Sequence, residues 1–328
     1  PVTAALANVA MSDAVGLGEL LDVVGYNYQE SRYAADHQKY PRRFIFGSEN
    51  GGQPANWAVV RTNDYVAGQF LWTGIDYLGE ANRWPNRGSG AGLLDQCGFK
   101  KPFAWLRQSL WTDEPMVYLC AMTRGRSRGP DGRRLGFGPQ EHWNWSTNDE
   151  VMVFCYTTCP EVTLTLNEQP LGTKRLAESM DGSSLFWQVR FEPGVLRAVG
   201  TREGETACEF ALTTADAPSR IVLLPEEATL RADGQDVGHV EFRIVDARGV
   251  RVPDAENELT FRVEGPARII GLENGDLNSP ETGRNGVRRA HRGRGLAMVQ
   301  TTREPGTIRL SANADGLPEA SVEMEALP

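Results

Sequence analysis

The chain has 328 residues, 40% of them hydrophobic and 23% charged, and a formal net charge of −9. Its length exceeds a single ordinary core and predicts two or three domains, while 35 Gly and 19 Pro favour many turns over long helices. The acidic balance excludes the electrostatic footprint of nucleic-acid or anionic-membrane binding, and no apolar run approaches the roughly 18 residues of a membrane span. Within residues 1–114, short apolar runs alternate with helical stretches. Leu21-Asp22-Val23-Val24-Gly25-Tyr26 and Arg43-Phe44-Ile45-Phe46-Gly47 read as buried parallel strands. Ser31 to Tyr40 predicts a short helix between them, stopped by Pro41. A third strand is expected from about Val66 to Tyr77, and Pro102 to Trp111 reads as a closing helix with Pro at its start. This βαβ order implies a parallel sheet. Three or four such units are too few for an eight-stranded barrel, so a barrel built this way has its first half elsewhere.

The pattern changes after Glu114-Pro115. Val151-Met152-Val153-Phe154, Val162-Thr163-Leu164-Thr165-Leu166 and Phe186-Trp187-Gln188-Val189 are short strands separated by turn clusters such as Asn167-Glu168-Gln169-Pro170. They predict a β-sandwich over 115–215. A second boundary falls at Ala215-Asp216-Ala217-Pro218, and strands such as Val240 to Val245, Leu259 to Val263 and Thr307 to Ser311 predict another sandwich over 216–328. The expected fold class is therefore multidomain, α/β followed by all-β.

The five cysteines (Cys97, Cys120, Cys155, Cys159, Cys208) are too few and too scattered for a disulfide framework. If Cys155 and Cys159 share a strand they lie about 13 Å apart, too far to bridge. No leader peptide is legible at the start, and the compartment stays undecided between cytoplasmic and periplasmic or secreted. The four histidines show no pairing at metal-ligand spacing, so neither a metal nor a cofactor is expected. Arg284 to Arg294 is basic, but without interleaved aromatic residues it reads as a solvated Gly-rich loop. Asn144-Trp145-Ser146 fits a glycosylation triplet of the kind that arises by chance.

In parallel α/β barrels, functional groups gather at the C-terminal ends of strands. Those ends read Gly25-Tyr26-Asn27-Tyr28, Gly47-Ser48-Glu49-Asn50 and Trp72-Thr73-Gly74-Ile75-Asp76. Carboxylate, amide, phenol and indole on one rim suit a sugar, because the polar groups bind hydroxyls and an aromatic face packs on the C–H face of the ring. Each residue also has a plainer reading: Glu49 as a solvated loop carboxylate, Trp72 as a core aromatic, Asp76 as a cap, and Tyr26 or Tyr28 as packing.

The segments Asp22-Val23-Val24-Gly25-Tyr26-Asn27-Tyr28, Phe44-Ile45-Phe46-Gly47-Ser48-Glu49 and Gly68 to Glu80 resemble the last strands of the catalytic barrel in glycoside hydrolase family 2, most closely its bacterial β-galactosidase branch. His142-Trp143-Asn144-Trp145 and Val162 to Asn167 resemble the small sandwich that follows that barrel. Gly271-Leu272-Glu273-Asn274-Gly275-Asp276, with Ser279 and Glu281, resembles a loop of its terminal immunoglobulin-like domain. The resemblance implies the C-terminal half of a (β/α)8 barrel over 1–114, then two sandwiches. It makes Glu49 the nucleophile of a retaining glycosidase and Tyr28 the donor that holds its carboxylate. Asn27 and Asp76 would contact sugar hydroxyls, Trp72 would form the platform, and Tyr26 counts with the substrate-binding groups, its register against Tyr28 open by one strand face.

A retaining mechanism needs a second carboxyl group roughly 5–5.5 Å from the first. In the family it follows an Asn at an earlier strand end. No Asn-Glu pair fits: Asn257-Glu258 falls in the terminal sandwich, and Glu30 and Glu80 lack that context. The acid/base is therefore expected in an upstream segment or a companion polypeptide, leaving this chain alone inactive. The expected partners are a β-galactoside or related carbohydrate and the missing half of the barrel, with a homo-oligomer left open and neither nucleic acid nor membrane among them. The alternatives are another family 2 specificity, β-glucuronidase or β-mannosidase, and a non-catalytic carbohydrate-binding or adhesive module.

Overall fold

The computed structural model describes residues 1–123, 138–179, 182 and 184–328. A four-stranded parallel sheet in the order β1-β2-β3-β4 comes first. Helices follow the strands in turn: β1 (Thr3–Leu6), α1 (Val9–Ala14), β2 (Val23–Asn27), α2 (Tyr33–Lys39), β3 (Phe44–Asn50), α3 (Pro54–Arg61) and β4 (Val66–Leu71). Val24, Ile45 and Val66 lie side by side in register and are buried, and Val9, Tyr33 and Val60 from the helices pack on the same core. The Asn8 side chain caps α1 by accepting from the Met11 amide at 3.1 Å. Pro54 and Pro102 open α3 and α4 (Pro102–Trp111), where a missing N–H costs nothing. The loop before α4 carries two short paired strands, β5 (Tyr77–Leu78) and β6 (Gly88–Ser89).

Two of these elements carry little sequence signal. β1 reads Thr-Ala-Ala-Leu and buries only Leu6, and α3 follows a Gly-rich turn with Val60 as its one buried residue. The expected third strand ends at Leu71 and not at Tyr77, because the chain turns away at Trp72.

The next seven strands are β7 (Val117–Thr123), β8 (Glu150–Thr157), β9 (Glu161–Leu166), β10 (Gln169–Arg175), β11 (Ser184–Arg190), β12 (Val195–Arg202) and β13 (Glu205–Thr213). They form two sheets, β10-β9-β12-β13 and β11-β8-β7. Alternate residues of β9 and β11 point into a core around Trp143. Asn167 and Glu168 both have positive φ, 50° and 68°, so the link from β9 to β10 is a two-residue turn twisted to suit a hairpin.

The remaining strands are β14 (Arg220–Pro225), β15 (Thr229–Arg231), β16 (Val237–Val245), β17 (Glu258–Glu264), β18 (Ala267–Glu273), β19 (Val287–Arg289), β20 (Arg294–Thr301), β21 (Gly306–Ala314) and β22 (Leu317–Leu327). Their sheets, β14-β16-β20-β18 and β15-β22-β21-β17-β19, enclose a core in which Phe242 and Phe261 meet at 5.0 Å. The passage into this part is pinned by hydrogen bonds. The Asn144 amide grips Ala215 through both backbone groups, at 2.8 and 2.9 Å, and the fully buried Asp246 carboxylate accepts from the Asp216 amide at 3.0 Å.

Trp143 is 0% exposed and its indole N–H donates to the Glu192 carbonyl at 3.0 Å. Trp143→Ala removes a large core side chain and leaves that carbonyl without its donor, an expected loss of about 3–5 kcal/mol. Urea unfolding followed through the β-sandwich signal measures it, and a loss below about 1 kcal/mol would show that this core does not depend on the indole.

Candidate active site

β2 and β3 run in register from Val23 opposite Phe44 to Gly25 opposite Phe46, then slip so that Asn27 faces Glu49. Glycine is required at the slip. A Cβ on Gly25 would sit 2.5 Å from the Ala4 carbonyl oxygen and 2.7 Å from the Ser48 side chain. With that space free, the Ser48 hydroxyl donates to the Asn27 amide oxygen at 2.7 Å. This fixes the amide so that its Nδ2 donates to Glu49 Oε2 at 3.3 Å. The strand carries on through Asn50, so Glu49 lies inside the last turn-free residues of β3 and not in the loop beyond.

Tyr28 leaves the strand with φ of 52°, and its amide donates to the Glu49 carbonyl at 2.8 Å. Its ring is therefore half exposed beside the Glu49 carboxylate. Partial burial, then the hydrogen bond and negative charge of Glu49, push the phenol up to about 12. At neutral pH it keeps its proton and can donate to the carboxylate.

Trp72 joins the set through the backbone, its amide donating to the Asn50 carbonyl at 3.1 Å. The indole is 40% exposed and donates through Nε1 to the Tyr77 hydroxyl at 3.1 Å, with the two rings edge-on at 5.6 Å. Tyr77 in turn donates to Glu80. A carboxylate with an amide and a phenol on it, next to an exposed indole edge-locked by a second phenol, forms a polar rim with one apolar platform.

Two expected site residues do not reach this rim. Tyr26 is 0% exposed, and its hydroxyl is taken by Asp36 at 3.1 Å and Arg43 at 3.2 Å. The positive φ at Tyr28 breaks the strand alternation that would have put both tyrosines on one face, so Tyr26 is a core residue. Asp76 is 7% exposed, and one of its oxygens accepts from Lys101 Nζ at 2.6 Å and the Gly92 amide at 2.8 Å. Lys101 also reaches the Gly90 carbonyl at 2.9 Å. Asp76 thus ties the long loop to the start of α4 through one carboxylate oxygen.

Ser48, Tyr77 and Lys101 are the groups that sequence reading missed. Ser48 could have been found from its place between Gly47 and Glu49. The Lys101 contact spans 25 residues of loop without periodicity and leaves no local signal.

The loop after β18 supports the rim from outside. Arg288 is 0% exposed and donates to the Asn274 side chain at 2.9 Å and the Glu281 carbonyl at 2.8 Å, and it pairs with Glu273. The loop so held offers the Leu277 carbonyl to the Arg87 amide at 2.8 Å, directly before β6, and β6 pairs with the strand that carries Tyr77.

A family model described as glycoside hydrolase family 2 C-terminal domain 5 matches residues 221–323, and one described as a domain of unknown function (DUF4982) matches 148–208. The chain is 34% identical over 271 residues to beta-galactosidase BoGH2A of Bacteroides ovatus, covering 82% of this chain and 29% of that protein. It is 25% identical over 279 residues to a beta-glucuronidase of Formosa agariphila, covering 83% of this chain and 26% of that protein. Among solved structures, a glycosyl hydrolase family 2 member from Bacteroides cellulosilyticus superposes with a TM-score of 0.91 at 29% identity, over 100% of this chain and 45% of that one. The chain therefore spans less than half the length of each of these proteins.

Removing the Glu49 charge tests the contact with Tyr28. In Glu49→Gln the burial contribution stays and the electrostatic one goes, so the phenol is expected to fall from about 12 part of the way back towards 10. Tyrosinate absorbance, with Tyr28→Phe identifying the signal, measures it; an unchanged titration would mean the two groups do not interact. Because the folded phenol ionises later than the unfolded one, its contribution to stability is whole below pH 10 and is lost as the pH rises through about 12.

Proposed function

The chain belongs to glycoside hydrolase family 2, and from that premise we propose that it carries the nucleophile half of a retaining exo-β-galactosidase. The observation that carries this reading is the Glu49 carboxylate at a parallel strand end, hydrogen-bonded by Asn27 and flanked by Tyr28 and Trp72. In it the four parallel strands belong to a (β/α)8 barrel over 1–114, followed by sandwiches over 115–215 and 216–328.

Glu49 attacks the anomeric carbon from one face while a carboxylic acid on the other side of the bond protonates the departing oxygen. The product is a covalent glycosyl ester, which water then releases with the second carboxyl group acting as base. Asn27 and Tyr28 each donate to the Glu49 carboxylate and so hold it aimed. Trp72 packs on the apolar face of the ring.

The acid/base belongs to polypeptide outside these 328 residues. Of the Asn-Glu pairs present, Asn167-Glu168 forms a hairpin turn and Asn257-Glu258 opens β17. Neither belongs to the parallel sheet.

A neutral galactoside suits the rim better than a glucuronide. The groups around Glu49 are an amide, a phenol and an indole, with Glu30 also facing Tyr28. A sugar carboxylate would add a third negative charge to that pair.

In the polypeptide with its barrel complete, Glu49→Gln is expected to lower kcat on an aryl β-galactoside by at least about 10³-fold, with circular dichroism unchanged. Near-normal turnover would sink the assignment. Faster hydrolysis of the aryl β-glucuronide than of the galactoside by the unmodified enzyme would move the specificity to the alternative.

A further inference from the structure

We propose that Cys159 and Cys208 are a redox-active thiol pair that closes to a disulfide on reaction with a small-molecule disulfide. Their sulfurs lie 3.5 Å apart although the residues are 49 apart in sequence. Cys159 stands in the turn after β8 and Cys208 on β13, directly across from Gly200 of β12 in the register. Glycine makes the approach possible, since a Cβ on Gly200 would lie 2.6 Å from Cys159 Sγ. The Cys159 sulfur occupies that space over β12, beside Cys208. The 3.5 Å between the sulfurs has to close to a bond of about 2.05 Å.

The two thiols have different access. Cys159 is buried while Cys208 is partly exposed, so the co-reactant meets Cys208 first. The Cys208 thiolate attacks one sulfur of the small disulfide, forming a mixed disulfide and releasing one thiolate. Cys159, as thiolate, then attacks the Cys208 sulfur and releases the second. The chain loses two electrons and two protons, and the co-reactant leaves as two thiols. Cys97, Cys120 and Cys155 are buried, which keeps the co-reactant from them; burial and the contact with Cys159 raise the Cys208 thiol too, to about 12, so the partly exposed Cys208 reacts through a small thiolate fraction.

The bridge would clamp a joint. Thr158, next to Cys159, donates to the Glu114 carbonyl at 2.8 Å and accepts from the Met116 amide at 2.9 Å. Arg202, at the end of β12, donates to the Asp113 carbonyl at 3.1 Å. Both arms therefore hold residues 113–116, the link from α4 to β7.

The test incubates the folded protein with oxidised glutathione, alkylates remaining thiols after unfolding, and maps peptides by mass. The expected result is a linked peptide pair containing Cys159 and Cys208, a rise of several degrees in the thermal midpoint over the reduced protein, and loss of both in Cys208→Ser. Recovery of Cys159 and Cys208 each fully alkylated, or of Cys208 arrested as the glutathione adduct with Cys159 free, overturns the proposal. If Cys208→Ser fails to fold, Cys208→Ala serves with the same readouts.

Discussion

The pairing of β2 with β3 is the constraint on which the site depends. Side chains of a strand alternate between faces, so a one-residue slip moves a group to the wrong side. The slip between Gly25 and Asn27 is used here to bring an amide opposite a carboxylate. Two glycines make it possible: Gly25 clears space for Ser48, and a Cβ on Gly47 would lie 2.2 Å from Asn50 Oδ1. Any larger residue at either position would displace Ser48, which orients Asn27, or the buried Asn50 side chain. The hydrogen-bond chain Ser48 to Asn27 to Glu49 is thus a consequence of backbone geometry, and Tyr28, just beyond β2, adds a second contact to the carboxylate.

Trp72 is held differently. Its backbone continues the sheet through the Asn50 carbonyl, but its ring depends on Tyr77, which lies in a loop that has little core of its own. That loop is held at two points. Asp76 and Lys101 fasten it to α4 with a part-buried ion pair, and the Arg288-braced loop fastens β6 from the terminal sandwich. A buried guanidinium is costly unless its donors are satisfied, and the two terminal nitrogens of Arg288 find acceptors on three residues while its buried Nε has none. The terminal sandwich therefore contributes rigidity to the platform while lying far from it in sequence.

What the sequence made legible was what is local. Glu49, Asn27, Tyr28 and Trp72 stand within a residue or two of hydrophobic runs whose ends are readable from composition alone, and the sheet brings them together. What escaped depended on long-range partners. Tyr26 reads like Tyr28 until the positive φ of Tyr28 and the Asp36–Arg43 pair at the Tyr26 hydroxyl are known. Asp76 reads as a hydroxyl contact or a cap until Lys101, 25 residues on, is seen to pair with it. The same holds for the fold: β1 and α3 bury one residue each and leave almost no periodic signal, whereas α4 begins at Pro102 and ends at Trp111 as its amphipathic pattern requires. Cys159 and Cys208 meet across a strand whose glycine carries no hint of its purpose in the sequence.

The division of the site follows from these supports. On the proposed reading the nucleophile must be fixed in direction, and Asn27 at the end of β2 and Tyr28 just beyond it both donate to the one carboxylate on β3. An acid/base must instead change protonation state during the cycle, which calls for a different environment from one rich in donors to the charged form. If the proposed barrel carries it at another strand end, the two environments are separated while the carboxyl groups stay within the distance a covalent intermediate requires. On the proposed reading, the sheet described by these residues is therefore specialised for one of the two roles, and its chemistry is complete only when the opposite side of the rim supplies a carboxyl group that Asn27 and Tyr28 do not touch.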